Sequence, residues 1–187
     1  MKHAIFLRMA NPSKARLNSP EPVADVNGIR VEKSVIISRK PEELYHFWRN
    51  FENLPQIMNH LAEVRVISPA RSHWVAKAPA GITVEWDAEI TNDAQNELIA
   101  WRSLEGSEVP NAGSVRFLYF AEGETEVRVA LEYNPPGGRL GAWIAGLLGE
   151  DPEHQITDDL ARFKLMMEIE TKPAAEVDAK NAKEDVI

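Results

Sequence analysis

Two hydrophobic periods alternate along the chain, and the places where they change mark out the elements. Ile29 to Ile37 is rich in Val and Ile and predicts a strand. Pro41 suits a first helical position, and Glu42 and Glu43 favour the positive end of a helix dipole. Leu44, Phe47, Trp48 and Phe51 then fall at i, i+3, i+4 and i+7, one apolar stripe on a helix. Asn53 to Pro55 breaks that helix, and a short second one is expected to end before Leu61. Six strands follow: Ala62–Ser68, His73–Ala78, Ile82–Thr91, Glu97–Ser103, Gly113–Phe120 and Glu126–Tyr133. The links between them are short and carry Pro69, Pro79, Gly81, Asn92, Gly106, Pro110 and Gly123, which implies antiparallel neighbours. After Tyr133 the period changes again. Leu140 to Leu148 reads as a small apolar helix or loop, and Asp151 and Pro152 open a last helix with Ile156, Leu160, Phe163 and Met167 as its stripe.

Strand alternation also assigns faces. Glu85, Asp87, Arg102, Arg116 and Arg128 share one face, where opposite charges on neighbouring strands make cross-strand pairs. The other face is apolar and aromatic, with Trp74, Trp86, Trp101, Phe117, Tyr119 and Tyr133. A long helix crossing that face would lay Phe163 and Met167 against it. Two readings stay open: a packed core, or a partly hollow one that admits an apolar ligand through these side chains. Ser103 and the two tyrosine hydroxyls are the polar handles such a space would offer.

Composition narrows the function classes. The chain has 187 residues, 21 Lys and Arg against 29 Asp and Glu, a net charge of −8, and no Cys. The acidic balance argues against nucleic-acid partners. Without Cys there are no disulfides, thiolate nucleophiles or Cys-ligated metals, which fits a cytoplasmic protein. No stretch reaches the roughly 20 apolar residues of a spanning helix. The five histidines, His3, His46, His60, His73 and His154, show no metal-pair spacing, and neither H-E-x-x-H nor G-x-S-x-G occurs. No phosphate-binding glycine motif is present, so no metal and no cofactor is expected. Residues 1–27 have linker composition and read as a flexible arm, 28–171 as the folded domain, and 172–187 as a disordered tail.

The segments together resemble a family. They are Val31-Glu-Lys-Ser34, Phe47-Trp-Arg-Asn-Phe-Glu-Asn-Leu-Pro55, His73-Trp-Val-Ala-Lys-Ala-Pro79, Val84-Glu-Trp-Asp-Ala-Glu-Ile90, Ile99-Ala-Trp-Arg-Ser103, Gly113-Ser-Val-Arg-Phe117, Thr125-Glu-Val127 and Glu132-Tyr-Asn-Pro-Pro-Gly137. In this order they resemble the polyketide cyclase/dehydrase branch of the START-like, helix-grip (SRPBCC-type) superfamily. The resemblance implies an α+β helix-grip fold: a curved seven-stranded antiparallel sheet wrapped around a long C-terminal helix, with two short helices after the first strand. It also implies a hydrophobic small-molecule ligand, lipid, polyketide or quinone-like, held between sheet and helix. A polyketide-type cyclase or dehydratase is the alternative. A third reading is an interaction module without a ligand, in which Leu140–Leu148 docks transiently on a membrane or a protein. The stiff Pro135–Pro136–Gly137–Gly138 turn before that segment would otherwise serve a lid. Neither the oligomeric state nor the ligand's identity follows from the sequence.

Overall fold

The computed structural model describes residues 29–77, 81, 83–107, 109–133 and 152–169. Strand β1 (Ile29–Ile37) leads into helix α1 (Pro41–Arg49) and a 3-10 helix, Phe51–Gln56. Strands β2 (Leu61–Ser68), β3 (Arg71–Lys77), β4 (Thr83–Ala94), β5 (Leu98–Ser103), β6 (Asn111–Ala121) and β7 (Glu124–Tyr133) follow, and helix α2 (Pro152–Ile169) comes last. The strands form one antiparallel sheet in the order β1-β7-β6-β5-β4-β3-β2, so β1 and β2 are its edges. This is the helix-grip arrangement. The expected arm, tail, lid and membrane-contact segment Leu140–Leu148 lie outside the described residues.

The alternation in sequence becomes two distinct faces. On the outer one, Glu89 pairs with Arg102 and His73 with Asp87 across neighbouring strands. Arg102 Nη2 donates to Glu89 Oε1 at 2.9 Å, and the His73 and Asp87 side chains meet at 2.8 Å. Surface contacts this exposed contribute little stability each; they help to fix the register. On the inner face Trp74 lies opposite Trp86, Trp101 opposite Ile90 and Gly113, and Val115 opposite Ile99 and Val129. Ile37, Ile99, Val115 and Val127 are fully buried there.

One irregularity changes what β4 presents. A register shift between Ile90 and Asn92 carries the strand on to Ala94, beyond the Thr91 end that alternation predicts, and sets Asp93 opposite buried Ile99. Asp93 thereby reaches helix α1. Tyr45 Oη donates to its Oδ1 at 2.6 Å and Arg49 Nε to its Oδ2 at 2.6 Å. Arg49 also donates to the Pro69 carbonyl at 2.8 Å, so one helix is tied to both β4 and the β2–β3 turn.

Helix α2 lies along the edge strand β1. Lys164 Nζ donates to the Ile36 carbonyl at 2.6 Å, and the Ser38 N–H donates to Glu168 Oε1 at 2.9 Å. Two backbone groups that β7 does not use are thus satisfied by helix side chains, which covers part of an edge otherwise open to strand addition. Lys33 meets Glu153 at 2.6 Å near the start of the helix.

Candidate ligand cavity

Three of the aromatic residues named from sequence, Trp74, Trp86 and Trp101, come together as a packed file. Trp74 stacks between Trp86 (centroids 5.9 Å apart) and Trp101 (6.2 Å), and Phe51 meets Trp101 edge-on at 5.5 Å. Trp74, Trp101, Phe117, Phe163 and Met167 are buried, and Trp86 is half-buried. Gly113 permits this packing. A Cβ there would come within 2.8 Å of Leu131 Cδ2 and closer still to the Trp101 indole.

Two of the expected lining residues stand elsewhere. Tyr119 is 77% exposed. It shares parity with Phe117, but a register shift between Tyr119 and Ala121 ends the regular pairing, and its neighbours are Lys40 and Pro41 at the start of α1. The apolar cover has run out at that point, so parity no longer means burial. Ser103 is half-buried, and its Oγ accepts the Asn111 N–H at 3.1 Å, closing the β5–β6 connection. Tyr133 ends β7, and its side chain lies outside the description.

The interior space lies beside the file. A cavity of about 20 Å³ opens between Trp48 of α1, Ile57, Met58 and His60 of the loop before β2, Val129 and Leu131 of β7, and Ile156, Asp159 and Leu160 of α2. Trp48, in its wall, stands perpendicular to Phe163 of α2 with centroids 5.7 Å apart. The walls are apolar except where His60 and Asp159 meet, and Trp48 lines the same space. Trp48 is fully buried and its Nε1 has no hydrogen-bond partner; His60 Nδ1 is buried and has none either. Unpaired buried donors are costly and uncommon in native folds.

Charge at this end is held by α2. Asp159 is buried, pairs with Arg162 one helical turn on, and places Oδ2 3.7 Å from His60 Nδ1. Arg162 Nε also donates to the Ile57 carbonyl at 2.8 Å, locking the helix to the loop that carries His60. Burial, assisted by the Arg162 and Lys77 cations, pulls the His60 imidazole down to about 4, so it is neutral at pH 7. Burial pushes the Asp159 carboxyl up to about 6 despite Arg162. A neutral imidazole, a carboxyl that titrates near neutrality and an unpaired indole N–H can hold the polar end of an otherwise apolar molecule. They can also exchange a proton with it.

Residues 37–161 match the family described as polyketide cyclase/dehydrase and lipid transport. The chain belongs to that family. An uncharacterized 17.2 kDa protein of Streptomyces lincolnensis is 30% identical over 139 residues, covering 74% of this chain and 89% of its own. A Deinococcus radiodurans protein of known crystal structure is 38% identical, with a TM-score of 0.63 over 76% of this chain and 99% of that one. The Zhui aromatase/cyclase of a Streptomyces species, at 16% identity, shares the fold with a TM-score of 0.65 over 80% of this chain and 99% of its own. Among the described residues no helix is long and apolar enough to cross a membrane, and no group of three or more His, Asp or Glu could hold a metal ion.

Sequence reasoning passed over the polar end of the cavity. His60 has no partner at ligand spacing, so motif logic dismisses it. Asp159 carries a readable signal: with Ile156, Leu160 and Phe163 it occupies i, i+3, i+4 and i+7, an acidic residue on a buried stripe.

Proposed function

We propose that the protein binds a hydrophobic small molecule, lipid, polyketide or quinone-like, between the sheet and helix α2. The observation that carries this reading is an incompletely filled apolar seam between α1, β7 and α2, about 20 Å³ of it open, so that a whole ligand enters only as these walls part. Membership of a family described by both cyclisation and lipid transport supports it.

A second reading, a cyclase or dehydratase acting on a polyketide-like substrate, is favoured by one observation. Asp159 and His60 lie 3.7 Å apart with affinities for protons displaced in opposite directions, as a general acid–base couple requires. The test of the first reading is direct. N-phenyl-1-naphthylamine should bind the full chain at one molecule per chain, and native mass spectrometry of freshly purified protein should show an apolar adduct that this probe displaces. No saturable probe binding and no adduct would overturn it.

A further inference from the structure

We propose that the outer face of the sheet carries an oxyanion site at Arg116, whose guanidinium group takes a carboxylate or phosphate group in a bidentate grip, supported by Arg128 on the neighbouring strand. The site lies on the face of the sheet opposite the cavity and does not depend on the binding reading above.

Three observations carry it. The first is a like-charge contact. Arg116 on β6 stands directly opposite Arg128 on β7, and two cations so placed repel each other. The second is an unequal sharing of carboxylates. Arg128 Nε and Nη2 donate to Glu126 Oε1 at 3.3 and 2.9 Å. Glu32 lies 3.9 Å from Arg128 and 3.5 Å from Arg30. Arg116 forms no hydrogen bond and no ion pair with the described residues. Among them Glu32 is the carboxylate whose charge acts on it, and two other arginines already draw on that charge. The third is the surroundings. Arg116 is half-buried, next to half-buried Leu118 on its own strand face and opposite buried Leu98 on β5, so its guanidinium has lost part of its water. Burial, against Glu32 and with help from Arg128 and Arg30, draws the group below its ordinary value. Arginine stays charged all the same. A partly dehydrated cation with donors and no acceptor gains most from an anion, because charge-assisted bonds strengthen as water is excluded. Its planar fork matches two oxygens of a carboxylate or phosphate, and Arg128 keeps N–H groups that Glu126 does not use. An anion held between the two guanidinium groups turns their repulsion into a shared attraction.

The test follows the arginine Nε–H resonances of the isotope-labelled full chain while inorganic phosphate, or benzoate, replaces chloride at constant ionic strength. The Arg116 resonance should shift saturably. That of Arg102, which already donates to Glu89 at 2.9 Å, should stay in place. Arg116→Gln keeps a polar side chain and removes the fork, so anion binding read at the Arg128 resonance should weaken about tenfold, the scale of a charge-assisted pair of bonds. Should that variant fold poorly, the wild-type contrast between Arg116 and Arg102 decides alone. Saturation by phosphate only identifies a phosphoryl ligand, by benzoate only a carboxylate ligand, and by both an oxyanion site without preference; each upholds the assignment. Arg116 and Arg102 resonances that drift together without saturating would report ionic screening and overturn it. So would an affinity at Arg128 that Arg116→Gln leaves unchanged, or no response to either anion.

Discussion

Gly113 is where a missing side chain decides the packing of the aromatic file. Its φ is unremarkable for a strand; what it provides is room for the Trp101 indole to lie flat across β6. Gly113→Ala must displace either a tryptophan or a leucine, and should cost about 1–3 kcal/mol in chemical denaturation, as overpacked cores do. The His60–Asp159 pair makes a sharper forecast because its two members act in opposite directions. His60, pulled below its unfolded value, binds fewer protons in the fold than in the unfolded chain between about pH 4 and 6.5, so it makes stability rise with pH there. Asp159, pushed up to about 6, binds more protons in the fold, so it makes stability fall as pH rises from its unfolded value toward 6. In the wild type the two slopes oppose each other, so the joint contribution of this pair should be nearly flat across that interval. Asp159→Asn should expose the rising slope and His60→Gln the falling one, each of order 1–3 kcal/mol between pH 4 and 6 by denaturant titration. Parallel slopes in both variants would mean that the two groups do not titrate in the fold as their burial implies.

Among the elements, α2 has two separate attachments. Its middle carries Asp159 and Arg162, which reach the loop before β2; farther along, Lys164 and Glu168 reach the end of β1. The first attachment shapes the cavity and the second does not, so they should be separable. The Ser38 N–H, and after it Lys164, hold the Glu168 carboxyl below the usual glutamate range. A depressed value contributes stability above the unfolded pKa and loses it as pH falls through the folded one, so this clasp loosens in acid. Glu168→Gln keeps the shape but weakens the charge-assisted bond. The Ser38 amide should then exchange with solvent faster while probe affinity at the cavity stays unchanged. An altered affinity would show that the two attachments act as one.

Across the whole molecule, what the sequence disclosed and what it hid divide along physical lines. Element order, strand pairing and the two sheet faces were legible because burial repeats every second residue on a strand and every third or fourth on a helix. Val84 and Ala88 on β4 and Val127 and Val129 on β7 follow that rule, while β5 from Leu98 to Trp101 and β6 from Ala112 to Val115 are buried on both faces. Tyr119 breaks it because periodicity says which way a side chain points, not whether anything covers it. Ser103 could not be read because its hydroxyl serves a turn whose geometry depends on Asn111, eight residues away. The cavity was hidden for a related reason. Trp48, His60, Leu131 and Asp159 come from four separate elements, and only the crossing of α2 over the sheet brings them to one place. Read along the chain, Trp48 is one more stripe residue and His60 a lone histidine; read in space, they line one cavity.

That a hydrophobic ligand occupies the space between β7 and α2 is most directly tested by locating one there. Intermolecular nuclear Overhauser effects between bound N-phenyl-1-naphthylamine and the methyl groups of the full chain give that location. Val129, Leu131, Ile156 and Leu160 line the cavity and should show them, together with Met58. Val66, Ile67, Leu165 and Ile169 are exposed apolar side chains away from those walls and should show none. Contacts confined to the exposed set, with the cavity methyls silent, would contradict the account.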